Sequence, residues 1–96
     1  MDPKDHKRLA DNAYQKAVDI FESKDKQQFK EMVHFAHAAR LHYSFSSFDP
    51  KEKEMNQNIQ KCDTFIHKMY LYLELHQMNQ FLESEWRMIT KKTLFR

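Results

Sequence analysis

The sequence predicts an all-α fold: an antiparallel helical bundle of three long helices, with a short fourth helix or a helical C-terminal extension. The 96-residue chain contains no glycine, which tight turns with positive φ, β-bulges and phosphate-binding loops generally use. It has two prolines, Pro3 and Pro50, and few β-branched residues. Its apolar residues recur at helical spacing along three segments, which favours helices joined by short polar links. The length predicts a single domain over residues 1–96.

The first helix is predicted over residues 3–22. Asp2 suits the N-cap position, and Pro3 suits the first helical position, where its missing N–H costs nothing. The apolar residues of this segment cover one continuous face at about 100° per residue. They are Leu9, Ala10, Ala13, Tyr14, Ala17, Ile20 and Phe21.

The second helix is predicted over residues 26–44. The link "SKDKQQ" at 23–28 offers Ser23 or Asp25 as its cap, and a link this short makes the first two helices an antiparallel hairpin. Small residues on this helix permit a close approach of the two backbones. The predicted core face is Phe29, Met32, Val33, Ala36, Ala39 and Tyr43.

The third helix is predicted after the break "SFSSFDPK" at 44–51. Asp49 followed by Pro50 and acidic residues is typical of a helix start. Its predicted core face is Met55, Ile59, Cys62, Ile66, Met69, Tyr70 and Leu73. We favour an end near "HQMNQ" at 76–80 and a fourth helix over 81–92, since an uninterrupted helix would overhang the first two.

Composition favours a soluble cytoplasmic protein. Acidic and basic residues are interspersed with a net charge of +2, which is too balanced for a dedicated nucleic-acid binder, where a basic stripe is expected. The single cysteine, Cys62, excludes an intrachain disulfide, and no apolar run has the length of a membrane span. The charged N-terminal segment is not typical of a signal peptide. Because no catalytic motif is recognisable, we expect no enzymatic activity and no cofactor.

One short stretch, "EMVHFAHAARLHY" at 31–43, suggests metal binding as an alternative. Glu31 and His34 have the Glu-x-x-His form of helical di-iron sites, and carboxylate with imidazole also suits zinc. Residues spaced by three lie at different angles around a helix, so a site built from Glu31, His34 and His37 needs further ligands. The candidates are Asp63 and His67 on the third helix, or a symmetric second chain. The interpretation we favour has Glu31 facing water and the two histidines flanking the core.

The C-terminal stretch "FLESEWRMITKKTLFR" at 81–96 mixes apolar and basic residues. A closing helix whose Trp86 completes the core is the favoured interpretation, and a protein interface is the next. The alternative is a nucleic-acid accessory protein that uses the basic residues of this segment. Those residues are Arg87, Lys91, Lys92 and Arg96.

Several aromatic and leucine side chains fall off the predicted core faces and favour partner binding. They are Phe35, Phe45, Phe48, Phe65, Tyr72 and Leu75. The hairpin "ADNAYQKAVDIF…FKEMVHFAHAARLHY" resembles helical-hairpin adaptor modules, such as tetratricopeptide repeats and microtubule-interacting-and-transport domains, in its alanine and aromatic spacing. It departs from the repeat pattern at the glycine and proline positions, so the resemblance assigns no family.

The function that the sequence favours is therefore non-catalytic protein–protein interaction. The chain is expected to act as a small adaptor, inhibitor or regulatory subunit that binds another protein or a second copy of itself in a homodimer. The predicted contact residues are Phe45, Phe48, Tyr72, Trp86 and Arg87.

Overall fold

The structure, a computed structural model, describes residues 1–76 of the 96-residue chain. The all-α prediction is confirmed, because these residues form helices and turns and no strand. The predicted fourth helix over 81–92 lies outside the described residues and stays a prediction. The elements in chain order are α1 (Pro3–Ser23), a 3₁₀ turn (Lys26–Gln28), α2 (Phe29–Ser44) and α3 (Lys53–Leu75).

Helix α1 begins as predicted and ends without a glycine. The side chain of Asp2 accepts a hydrogen bond from the backbone N–H of Lys4, and Pro3 opens the helix. At the other end Lys24 takes the left-handed conformation, with φ 58° and ψ 27°, and its N–H donates to the carbonyl oxygen of Ile20. Since glycine is absent from the chain, a lysine occupies the position that glycine usually fills.

The link between α1 and α2 is short and capped, as predicted. Asp25 accepts a hydrogen bond from the backbone N–H of Gln27 and opens the 3₁₀ turn. Helix α2 itself begins at Phe29, three residues later than the predicted residue 26, because the intervening residues adopt the tighter turn.

Helix α3 begins later than the predicted start at Asp49 and Pro50. The N–H of Glu52 donates to the carbonyl oxygen of Asp49 at 3.0 Å, which closes a turn with Pro50 at its second position. Glu52 then becomes the N-cap, and its carboxylate accepts from the N–H of Met55. Turn formation by Asp49 therefore displaces the helix start to Lys53. The last helical residue, Leu75, precedes the predicted break at 76–80.

The three helices pack with α2 antiparallel to both neighbours. His6 near the start of α1 contacts His42 near the end of α2, and Tyr43 at the end of α2 contacts Lys61 near the middle of α3. Along α1 and α3 the contacts advance in the same direction, from Lys7 with Glu54, through Tyr14 with Phe65, to Phe21 with Tyr72. The ends of α1 and α3 therefore point the same way.

The core contains small side chains between α1 and α2, and aromatic rings between α1 and α3. Every predicted core residue of α2 is buried. Buried alanines of α1 and α2 allow the two backbones to approach closely, whereas α1 and α3 meet through aromatic side chains. The buried alanines are Ala10, Ala13, Ala17, Ala36 and Ala39.

Leu9 and Phe65 differ most from their predicted burial, whereas the predicted core residues Tyr14, Ile59 and Ile66 are partly buried against the core. Leu9, predicted to lie in the core, is 36% exposed, because it lies at the edge of the α1 face. Phe65, predicted to lie off the core face of α3, is buried and packs against Phe21 and Tyr14 of α1. The apolar arc of α3 is thus wider than a single helical stripe, since two helices cover it.

Candidate interaction surface

Three large apolar side chains are exposed within a short stretch of sequence, where α2 ends and the link to α3 begins. Leu41 is 54% exposed, Phe45 is 52% exposed and Phe48 is 91% exposed. Leu41 and Phe45 are four residues apart, which places them on the same side of the helix end. We call these three residues the α2–α3 corner. Phe45 and Phe48 were predicted contact residues, and Leu41 was not among them.

Local hydrogen bonds hold the backbone of the corner in place. The N–H of Phe45 donates to the carbonyl oxygen of His42 at 3.0 Å, and the N–H of Ser46 donates to that of Tyr43 at 3.0 Å. The hydroxyl of Ser46 donates to the same Tyr43 oxygen at 2.7 Å, and the N–H of Asp49 donates to Ser47 Oγ at 3.1 Å. Phe48 is therefore presented to solvent from a link whose backbone is hydrogen-bonded on both sides.

A histidine pair borders the corner on the α1 side. The ring centroids of His6 and His42 lie 5.2 Å apart with 29° between the ring planes, and the ring of His6 also contacts Phe45 with centroids 5.3 Å apart. Sequence reasoning missed this pair because it follows from the register of the hairpin. The available signal was the position of both residues at the same end of two antiparallel helices, one in the first turn of α1 and one in the last turn of α2.

Close to the corner, the buried Tyr43 of α2 contacts side chains of both α1 and α3. Tyr43 is fully buried, and its hydroxyl donates to Asp11 Oδ1 on α1 at 2.5 Å. The Nζ of Lys61 on α3 lies 3.5 Å from the same hydroxyl and 4.4 Å from the ring centroid of Tyr14. Burial, with help from the hydrogen bond to Asp11, raises the pKa of Tyr43 well above its ordinary value. The hydroxyl thus stays protonated and keeps donating to Asp11.

The other predicted contact residues lie elsewhere. Tyr72 is partly buried, and its ring makes edge contacts with Phe21 and Phe29 at 5.3 and 5.9 Å between centroids. It lies at the opposite end of α3 from the corner. Trp86 and Arg87 fall outside the described residues, as do the basic residues of the nucleic-acid alternative.

A second, smaller exposed apolar pair lies on α3. Leu71 is 49% exposed and Leu75 is 72% exposed, and their spacing of four residues places them on one face. Leu75 was predicted to lie off the core, and the structure places it there.

The histidines proposed as metal ligands do not come together in the described part of the chain. Glu31, His34 and His67 are exposed, whereas His37 is partly buried with its Nε2 2.9 Å from the hydroxyl oxygen of Tyr70. Within residues 1–76, no group of three or more histidine, cysteine, aspartate or glutamate side chains is arranged to hold a metal ion. The metal alternative therefore gains no geometric support from this region.

The surroundings of Arg40 and Cys62 favour structural roles for both residues. Arg40 lies beside α3, where its Nε donates to Asp63 Oδ1 at 2.5 Å and its Nη2 lies 3.5 Å from Oδ2. Arg40 thus forms a partly exposed ion pair with a carboxylate on the neighbouring helix. Burial raises the pKa of the Cys62 thiol to about 11, so the thiol is mostly neutral near pH 7.

Comparison of the chain with family models, with curated proteins and with solved structures found no match. Among the described helices, none has the length and apolar character needed to cross a membrane.

Proposed function

We propose that the protein is a non-catalytic protein–protein interaction module and that the α2–α3 corner is its contact surface. The observation that carries this proposal is the exposure of Leu41, Phe45 and Phe48 on a hydrogen-bonded backbone. Apolar side chains scattered singly are normal on protein surfaces, whereas neighbouring ones often mark interaction sites.

The energetics favour a contact made mainly by the two aromatic rings. Moving a fully exposed phenylalanine into an apolar pocket is worth about 1.5–3 kcal/mol, and Phe48 is 91% exposed. Because the backbone of the link is already held by hydrogen bonds, little conformational entropy is lost there on binding. The expected partner is a protein with an apolar groove, either a different chain or a second copy of this one.

Photo-crosslinking tests the proposal directly. A benzoylphenylalanine in place of Phe48 is expected to form a discrete covalent adduct in the source cell, whose mass identifies either a partner or a second copy. The matched control carries the same probe in place of Gln60, which is exposed on α3. Adding Phe45→Ser to the Phe48 probe is expected to reduce the adduct severalfold, because the neighbouring ring is lost.

Equal adduct yields from both probe positions would indicate random collisions. If they are accompanied by a strictly monomeric protein in sedimentation equilibrium, the corner is not a contact surface.

A further inference from the structure

The short contact between His6 and His42, at the edge of the α2–α3 corner, limits how many protons the two rings can hold. Nδ1 of His6 lies 2.9 Å from Nδ1 of His42, which is hydrogen-bond distance. Such a contact requires one proton between the two nitrogens. With no proton there, two lone pairs face each other, and with two protons, two N–H groups face each other. The contact is thus compatible with a neutral pair or a singly charged pair, and incompatible with a doubly charged one.

The helix ends distinguish the donor ring from the acceptor ring. His42 lies in the last turn of α2, where the helix dipole favours a cation. His6 lies at the end of the first turn of α1, where the dipole disfavours one. The helix dipoles therefore favour His42 as the donor and His6 as the acceptor in this contact. A second proton must go to Nδ1 of His6, which removes the acceptor and places two cations side by side.

Neither ring has an ion-pair partner within residues 1–76 that would offset this second charge. Within residues 1–76, the ion pairs join Asp5 to Arg8, Lys7 to Asp11 and Glu54, and Arg40 to Asp63, and none includes either ring. In the link, Asp49 and Glu52 accept hydrogen bonds from backbone N–H groups. The charged side chains on the surrounding elements include the N-cap residue Asp2 and, on the first half of α1, Lys4, Asp5, Lys7, Arg8 and Asp11. The others are Arg40 on α2, Asp49, Lys51 and Glu52 in the link, and Lys53 and Glu54 at the start of α3.

We propose that His6 and His42 form a pH-sensitive latch that regulates the α2–α3 corner. At neutral pH the shared proton holds the first turn of α1 against α2, with the ring of His6 covering one side of Phe45. In mildly acidic solution, where histidines take up protons, the second protonation releases His6 and uncovers Phe45. The effect on partner binding rests on the proposed function, whereas the latch itself does not.

Nuclear magnetic resonance of the imidazole nitrogens tests the latch without any partner. At about pH 8, one of the two rings is expected to carry its proton on Nδ1, the tautomer that free histidine uses less, and the other on Nε2. At about pH 5, the hydrogen-exchange protection of the His6 amide, which donates to the carbonyl oxygen of Asp2, is expected to fall about tenfold. Core amides of α2 are expected to keep their protection.

Two variants separate the latch from general acid effects. His6→Asn keeps a neutral donor and acceptor but cannot titrate, so its protection is expected to change much less between the two pH values. His67→Asn removes an exposed histidine of α3 and is expected to respond to pH as the unaltered protein does. Protons on Nε2 of both rings at about pH 8, or the same loss of protection in His6→Asn, would overturn the latch. So would a general loss of helix by circular dichroism at about pH 5.

The Phe48 crosslinking probe tests the regulatory role separately. Its adduct yield is expected to rise severalfold at about pH 5 in the unaltered protein and to stay constant in His6→Asn. A latch that opens with no change in adduct yield overturns the regulatory role and leaves the latch standing. Absence of any adduct at either pH overturns the proposed function and the regulatory role together, and the latch is then decided by the resonance and exchange measurements alone.

Discussion

At the scale of single residues, the buried thiol of Cys62 predicts a loss of stability in alkaline solution. Its pKa rises from the ordinary 9.0 to about 11 because the folded chain buries it. Below pH 9.0 the thiol is protonated in both states, so its contribution to stability is fully present. As the pH rises through this window to about 11, the unfolded thiol loses its proton first and the contribution is lost, with a ceiling of about 3 kcal/mol.

Urea unfolding at a series of pH values measures this loss. Tyr43 and Tyr14 also have raised pKa values because of burial, so part of the alkaline loss belongs to them. Cys62→Ala isolates the thiol and is expected to show a shallower decline between pH 9.0 and about 11. A decline identical to that of the unaltered protein would assign the whole effect to the tyrosines.

Lys24 combines an unfavourable backbone with two favourable ring contacts. Its left-handed conformation costs a non-glycine residue about 1 kcal/mol, whereas its Nζ lies 3.5 Å from the ring centroid of Phe21 and 4.4 Å from that of Tyr72. Lys24→Ala keeps the cost and loses the contacts, so it is expected to lower the melting temperature. Lys24→Gly loses the contacts but removes the cost, and is expected to be about 1 kcal/mol more stable than Lys24→Ala. Equal stabilities for these two variants would argue against backbone strain at this position.

At the scale of helices, the hydrogen bond between Tyr43 and Asp11 couples α1 to α2. Tyr43→Phe is expected to cost about 1–2 kcal/mol, since it leaves the ring packed and removes a hydrogen bond to a charged group. A double-mutant cycle with Asp11→Asn in urea unfolding is expected to show a coupling energy of at least about 0.5 kcal/mol. The surface pair of Arg40 and Asp63 serves as the comparison, because exposed ion pairs are worth about 0–1 kcal/mol. Additive effects of the Tyr43 and Asp11 changes would show that the contact contributes no stability.

The sequence predicts the helices well, because each one carries its own apolar period. It predicts less well the features that depend on competition between two possible caps or on the register of one helix against another. Asp49 can cap a helix or close a turn, and the choice depends on Glu52 being available as a second cap. Phe65 lies at the margin of the apolar arc of α3, and its burial depends on where α1 lies relative to that arc.

The same distinction holds for the candidate site. Exposure of Phe45 and Phe48 follows from their position beyond the core face, which the sequence shows. The contact between His6 and His42 depends on the register of α1 against α2. The spacing of apolar residues within each helix does not reveal that register. The partner-binding role of these residues stays a prediction until the crosslinking is done.

At the scale of the whole molecule, α3 is held to α1 by rings, and Phe65 is the central one. Its ring lies 5.7 Å from that of Tyr14 and 5.6 Å from that of Phe21, centroid to centroid, in edge-to-face geometry. Phe65→Ala is expected to cost about 3–5 kcal/mol, which is a large part of the stability of a small domain. Phe65→Leu keeps most of the apolar volume and loses mainly the ring–ring contacts, so its cost is expected to be smaller, about 1–3 kcal/mol.

Denaturant unfolding, followed by circular dichroism, measures these costs. Phe48→Ala removes the same ring from a 91% exposed position and is expected to change stability by less than about 0.5 kcal/mol. Because α1 and α2 meet through alanines and do not depend on Phe65, the amides of α3 are expected to lose hydrogen-exchange protection in Phe65→Ala before those of α1 do. Equal costs for Phe65→Ala and Phe48→Ala, or protection lost uniformly across the three helices, would show that α3 is not held in place by this ring.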